Sequence, residues 1–124
     1  MKLSLVSIEK AGYVRLAAEG EITSRDFLES GGKNPLETVL GAAWASHNIL
    51  LSMERTLFID SSAIGWLIDS KRKSKAGGGK LVLHSVQPRV RDVLDLLKMR
   101  NVLDLQDDEK KAVEFILNTA GDSK

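Results

Sequence analysis

Apolar and polar residues alternate in two segments near the start of the 124-residue chain, at residues 2–9 and 13–20. In the second segment Val14, Leu16 and Ala18 stand at every second position. A period of two is typical of a β-strand with one buried face. Because only a short glycine-containing link separates the two segments, the pattern predicts a β-hairpin.

Four later segments repeat their apolar residues at intervals of three and four, which is typical of a helix with one buried face. The first follows Asn34-Pro35, a favoured cap and a favoured first-turn residue. The second begins near Ser62 and ends in a basic run before the glycines at 77–79. The expected inward positions are Leu36, Val39, Leu40 and Ala43 in the first helix, Ala63, Ile64, Leu67 and Ile68 in the second, Val90, Val93, Leu94 and Leu97 in the third, and Ala112, Val113, Ile116 and Leu117 in the fourth.

Short apolar runs lie between these helices. The runs at residues 48–51 and 80–84 predict buried strands, and the run at 57–59 leads into the second helix. Strands that alternate with helices indicate an α/β fold. We expect one domain over residues 1–124, built as a small mixed β-sheet covered by about four helices, with a frayed tail at 121–124.

The composition restricts the classes of function. Hydrophobic residues make up 43% of the chain and charged residues 28%, which suits a folded domain. The formal net charge of +1 supplies no general attraction to nucleic acid or to an anionic membrane, and no apolar run reaches the roughly twenty residues that span a bilayer. The chain has no cysteine, and His47 and His84 lack the spacing of metal ligands. We therefore expect a soluble cytoplasmic protein without a metal or cofactor.

The candidate site is the junction at residues 57–68, where an apolar run meets Asp60, Ser61 and Ser62 before a helical pattern begins. The first amides of a helix have no partner within the helix, and the helix dipole places positive charge there. Such an end can hold an oxygen, a phosphate or a group of a partner protein. The same residue types also fit a plain helix cap, so both interpretations stay open.

Several motifs, taken in order, resemble the STAS domain, a family that includes the bacterial anti-sigma-factor antagonists. They are Gly20-Glu21-Ile22, the core Phe58-Ile59-Asp60-Ser61-Ser62-Ala63-Ile64-Gly65, a glycine-rich turn, an apolar strand, and Gln87-Pro88 at the start of a helix striped with valine and leucine. The resemblance extends from about Leu3 to Ile116. It implies the fold of that family, in agreement with the α/β pattern.

The resemblance also implies a phosphorylation switch. The phosphorylated serine of the family directly follows the aspartate, which makes Ser61 the acceptor here, with Asp60, Ser62 and Thr23 in its environment. The unphosphorylated antagonist binds an anti-sigma factor and so releases the sigma factor; the kinase activity of the anti-sigma factor then adds phosphate and ends the complex. The implied partners are an anti-sigma factor or related serine protein kinase and a phosphatase, with no direct nucleic-acid or membrane contact and no enzymatic activity of this chain.

Partner contact is expected through Ser62 and Trp66. Trp66 lies one helical turn beyond Ser62 and off the buried stripe, so it is either a partly exposed anchor or packs under a neighbouring loop. Trp44 is expected in the core. The chain departs from the family at Thr23, where an acid is common, and at residues 23–33, which form a longer link than usual.

Two other functions are compatible with the sequence. A STAS-type scaffold or transport-accessory subunit would use the serines only structurally, without control by phosphorylation. A small hydrolase would pair Ser61 with His84, but the chain lacks the Gly-x-Ser-x-Gly motif of such enzymes. The order of acid, hydroxyl and hydroxyl in residues 60–62 favours the phosphorylation switch over the scaffold, and the missing histidine-carboxylate context of a catalytic site counts against the hydrolase.

Overall fold

The computed structural model describes residues 1–122, with side chains as far as Asn118. Within that range the chain forms six strands and five α-helices, together with short 3-10 turns at Trp44–Ser46 and Met99–Asn101. The strands are β1 (Lys2–Glu9), β2 (Tyr13–Ile22), β3 (Asn48–Ser52), β4 (Thr56–Ile59), β5 (Lys80–His84) and β6 (Asp104–Gln106). The helices are α1 (Ser24–Glu29), α2 (Pro35–Leu40), α3 (Ser61–Gly77), α4 (Pro88–Leu96) and α5 (Glu109–Asp122).

One mixed sheet joins all the described strands. Its main path runs β1-β2-β3-β5-β6, and β4 pairs with β2 off this path. β1 and β2 form the antiparallel hairpin predicted from the alternating pattern, and every other pair is parallel. The expected α/β fold with a mixed sheet is confirmed.

β2 is long enough to pair with two strands along one side. Residues 14–17 of β2 pair with β3, and residues 20–22 pair with β4. Because β4 runs parallel to the end of β2, Ile59 lies opposite Ile22 and the two strands end together. This pairing places Asp60, the residue after β4, next to the chain that enters α1.

The central strands are buried on both faces. Ile49 and Leu51 of β3 belong to the larger core cluster, together with Leu67 of α3. Leu50 belongs to a second cluster, where Ile116 of α5 packs against it. All five side chains are less than 2% exposed. Burial on both faces explains why the sequence of β3 is a continuous apolar run instead of an alternating one.

The predicted starts of the helices agree with the structure better than the predicted ends. Asn34 caps α2 by accepting a hydrogen bond from the Leu36 amide at 2.9 Å, as its position before proline predicts. The prediction that this helix continues to a buried Ala43 is wrong. The chain turns away at Gly41, whose φ of 89° suits glycine, and Ala43 is exposed.

Two other predicted core positions are also wrong. Leu97 is 48% exposed because it forms the carboxyl-terminal cap of α4, after the last helical residue. Leu117 is 41% exposed because it follows Ile116, the position through which α5 packs, by roughly 100° around the helix. Trp44, at 5% exposed, is in the core as predicted.

The sequence patterns do not predict two of the elements. α1 lies within the polar link at residues 23–33, and β6 has only three residues. β4 does not bury its apolar run, because Leu57 and Phe58 are 56% and 46% exposed. The strand therefore presents two apolar side chains on the surface, at the start of the candidate site.

α5 extends to Asp122, and residues 123 and 124 of the expected tail lie outside the described residues. Among residues 1–122, none of the helices combines the length and the apolar character needed to cross a membrane.

Candidate functional site

Asp60 connects the amino-terminal ends of two helices. Its Oδ1 accepts a hydrogen bond from the Ala63 amide at 3.0 Å and so caps α3. Its Oδ2 accepts from the amide of Ser24, the first residue of α1, at 3.0 Å. The Asp60 amide donates to the Ile22 carbonyl of β2 at 3.2 Å. Because the first amides of a helix lack partners within it, the carboxylate satisfies one in each helix and is itself held in place.

Ser61 and Ser62 are the first two residues of α3. Ser61 is exposed, whereas Ser62 is half-buried and faces the segment that contains α1. Neither hydroxyl makes a hydrogen bond to any of the described residues. Ser61 therefore presents a free hydroxyl next to a carboxylate that is fixed in position.

Thr23 lies at the amino-terminal cap of α1, and its amide donates to Asp26 Oδ2 at 2.8 Å. The other oxygen of Asp26 accepts from the Met1 amino group at 2.6 Å. Burial raises the pKa of the Asp26 carboxyl, but these two hydrogen bonds, together with the positive charges of the Met1 amino group and Arg25, lower it overall. Asp26 is thus ionised, and its carboxylate binds the Thr23 amide and the Met1 amino group, not the hydroxyls of Ser61 and Ser62.

Trp66 is 7% exposed, so the expectation of a partly exposed anchor is wrong and the alternative, packing under a neighbouring loop, is what the structure shows. Its Nε1 donates to Asn34 Oδ1 at 2.9 Å, and its ring lies 5.6 Å from the Phe27 ring, centroid to centroid, at 43°. Trp66 thus fixes the 23–34 segment against α3.

These features agree with a match to a known family. The sequence model of the STAS domain matches residues 6–112 of the chain. The chain belongs to the STAS domain family. The match includes the Asp60 junction and both helices that it caps.

Solved structures share this STAS fold. A protein of Thermotoga maritima, named as a candidate anti-sigma factor antagonist, is 21% identical, with 89% of this chain and 91% of that chain covered and a TM-score of 0.73. The anti-sigma factor antagonist SpoIIAA of Bacillus, unphosphorylated, is 21% identical, with 93% and 97% covered and a TM-score of 0.62. A sulfate transporter family protein of Wolinella succinogenes is 15% identical, with 94% and 93% covered and a TM-score of 0.67. At these identities the likeness establishes the fold.

Asn34 has a second role beside the candidate site that the sequence does not indicate. The sequence identifies it only as the cap of α2. Besides Leu36 it binds two residues of α3: its Oδ1 accepts from Trp66, and its Nδ2 donates to Ser70 Oγ at 3.0 Å. The cap is readable from Asn34-Pro35, but the contacts with α3 are more than 30 residues away in the chain. No local pattern indicates them.

His84 is buried in β5 and is not directed to the serines. Its Nδ1 lies 2.8 Å from the hydroxyl of Ser85, its neighbour in the chain. Burial lowers the pKa of the ring, which is therefore uncharged at neutral pH. Within the described residues no group of three or more His, Asp or Glu side chains is arranged to hold a metal ion. The geometry offers no support for a catalytic pair of Ser61 and His84.

Asp60→Ala is expected to lower the free energy of unfolding by about 2 kcal/mol, because two helix-end amides lose their acceptor. Asp60→Asn retains one acceptor oxygen and should lose about half as much. Chemical denaturation measures both values. Asp69→Ala is the matched control: Asp69 pairs with Lys73 on the surface of the same helix, and its loss should cost less than about 0.5 kcal/mol. Equal effects of Asp60→Ala and Asp69→Ala would contradict the double-cap role.

Proposed function

We propose that this protein is a regulatory binding module switched by phosphorylation, as in the anti-sigma-factor antagonists. Unphosphorylated, it binds a serine-kinase-type anti-sigma factor in the cytoplasm, and the sigma factor is released. The kinase then transfers phosphate to Ser61 and the complex ends, and a phosphatase restores the binding form. The chain itself catalyses nothing and needs no cofactor, nucleic acid or membrane.

The observation that carries the proposal is the exposed hydroxyl of Ser61 at the first position of α3, directly after Asp60. A phosphate there adds about −1.5 to −2 charge at neutral pH. Asp60 cannot turn away from that charge without losing its hydrogen bonds to Ala63 and Ser24. The added charge therefore changes the surface that a partner meets. SpoIIAA, which has the same fold, is solved in an unphosphorylated and in a phosphorylated form, and this supports phosphorylation as the switch.

The proposed partner surface surrounds Ser61. Ser62 contributes a half-buried hydroxyl, and Leu57 and Phe58 of β4 contribute exposed apolar area. Leu28 of α1, 80% exposed, adds a further apolar side chain on the neighbouring segment. Exposed apolar side chains next to polar groups are typical of protein interaction sites. Thr23 and Trp66 contribute to this surface indirectly, because their contacts hold α1 in place.

A second candidate is a STAS-type scaffold or transport-accessory subunit, which the fold of the sulfate transporter family protein also fits. One observation favours it. Both oxygens of Asp60 serve as helix caps, so the acid has a structural task whether or not Ser61 is modified. In that case a neutral and a negatively charged substitution at Ser61 would have the same effect on the affinity for the partner.

Binding measurements distinguish the two candidates. Ser61→Asp is expected to weaken the complex with the partner at least about 100-fold, or roughly 2.7 kcal/mol, whereas Ser61→Ala should stay within about threefold of wild type. Isothermal titration calorimetry, with a partner first isolated by pull-down on the unphosphorylated protein, measures both.

The matched control is Asn101→Asp, which adds one negative charge on an exposed turn after α4. The neighbouring Val102 carbonyl contacts Lys71, ten residues along α3 from Ser61, so the charge is remote from the junction. Asn101→Asp should bind like wild type. Equal loss of affinity in Ser61→Ala and Ser61→Asp would leave Ser61 a structural role and favour the scaffold.

A further inference from the structure

A groove of about 520 Å³ lies between α3 and the segment at residues 24–35; we refer to it as the α1–α3 groove. The rings of Phe27 and Trp66 form its apolar lining, with Leu28 at the edge. The space above Gly65 is open, since a Cβ added there would meet no atom within 4 Å. Pockets that hold small organic ligands have volumes of about 300–1,000 Å³ and mostly apolar walls with a few polar groups. The groove has the size and the lining of such a pocket.

The charges that line the groove are Lys33, Lys73 and Asp69. Lys73 Nζ lies 3.1 Å from Asp69 Oδ2, and Lys33 Nζ lies 3.9 Å from Glu37 Oε2, which is outside the lining. All of these side chains are at least 31% exposed, and exposed ion pairs contribute only about 0–1 kcal/mol. Either amine can therefore turn to a bound anion at little cost. The lining itself carries two cations against one anion.

We propose that the α1–α3 groove is a binding site for a small organic anion with a flat, aromatic body. The body packs against Phe27 and Trp66 in the space above Gly65, and the anionic group lies at the edge that carries Lys33 and Lys73. The hydroxyl of Ser62, which also lines the groove, is a further hydrogen-bond donor. This inference goes beyond the proposed function, because the site is complete without a phosphate on Ser61 and without a protein partner.

Two fluorescent probes with the same ring system test the site. 8-Anilinonaphthalene-1-sulfonate carries the anionic group, and N-phenyl-1-naphthylamine lacks it. The wild-type chain is expected to bind one equivalent of the sulfonate and to bind it more tightly than the uncharged probe, because only the sulfonate meets the lysines. Resonance energy transfer from tryptophan to the probe should accompany binding, so that excitation of tryptophan produces emission from the probe.

Gly65→Leu fills the groove and should weaken binding of both probes by roughly tenfold or more. The variant is expected to fold, because position 65 is exposed, has open space and gains helix propensity. Ala76→Leu is the matched control: it adds the same side chain to an exposed position three turns further along α3, outside the groove. It should bind both probes like wild type. Unchanged sulfonate binding in Gly65→Leu would overturn the proposal.

The double variant Lys33→Ala/Lys73→Ala tests the charge. It should weaken binding of the sulfonate by roughly tenfold while binding of the uncharged probe stays within about twofold. An equal change for both probes would show an apolar groove without preference for an anion and would also overturn the proposal. Amide chemical shifts of the wild-type chain locate the probe independently: the largest changes should fall on the groove residues, and changes centred elsewhere count against it.

Discussion

Incubation with ATP and the serine kinase that recognises this chain is expected to add one phosphate to the wild-type protein and none to the Ser61→Ala variant. Ser61 is exposed and is the first residue of α3, and its hydroxyl makes no hydrogen bond to any of the described residues. A phosphate there lies at the positive end of the helix dipole, which favours negative charge. Intact-mass spectrometry measures the number of phosphates, and fragment spectra locate them.

Two neighbouring serines are the controls for this assignment. Ser62→Ala should still accept one phosphate, because the half-buried Ser62 side chain faces the α1–α3 groove and not the open surface. Ser24→Ala should also accept one, although Ser24 is exposed and its amide binds Asp60. A phosphate that persists in Ser61→Ala would contradict the assignment. So would a result in which Ser62→Ala is the one variant that loses the phosphate. Circular dichroism of each variant checks that the fold is retained.

The fold class follows from local patterns in the sequence because short-range physics determines those patterns. Alternation in β2 reflects one buried strand face, and Asn34-Pro35 reflects the unpaired amides at the start of α2. The Asp60-Ser61 junction is readable for the same reason, since an acid before a helix serves the first amides. Each of these signals depends on residues that are close together in the chain.

The details of the site depend on contacts between distant residues, which local patterns do not report. The second oxygen of Asp60 binds the Ser24 amide, 36 residues away in the chain. Trp66 is buried because the 23–34 segment closes over it and Asn34, 32 residues away, accepts its N–H. Read alone, the sequence of that segment is polar and rich in glycine, which is typical of an exposed link. Its short helix α1 is stabilised by capping and by packing on α3, not by propensity.

The same argument predicts a large loss of stability when Trp66 is removed. Trp66→Ala removes a side chain that is 7% exposed, together with its contact with Phe27 and its hydrogen bond to Asn34. Large-to-small changes of this kind cost about 3–5 kcal/mol of the free energy of unfolding. Trp66→Phe keeps an aromatic ring beside Phe27 but loses the N–H donor, so it should cost about 1 kcal/mol from the hydrogen bond, plus a smaller packing loss. Chemical denaturation followed by circular dichroism measures both variants.

A second readout separates loss of stability from release of the 23–34 segment. Under native conditions, Trp66→Ala should be cut by trypsin first after Arg25 and Lys33, because the segment that contains them has lost its attachment to α3. Trp44→Ala is the matched control, since Trp44 is equally buried, at 5% exposed, but lies in the 3-10 turn that packs against the other end of α3. It should lose comparable stability without favouring those two cleavage sites. The same first cleavage sites in both variants would contradict the role of Trp66 in holding the segment. So would a decrease of less than about 1 kcal/mol in the free energy of unfolding of Trp66→Ala, because removal of a buried aromatic side chain should lower it by more.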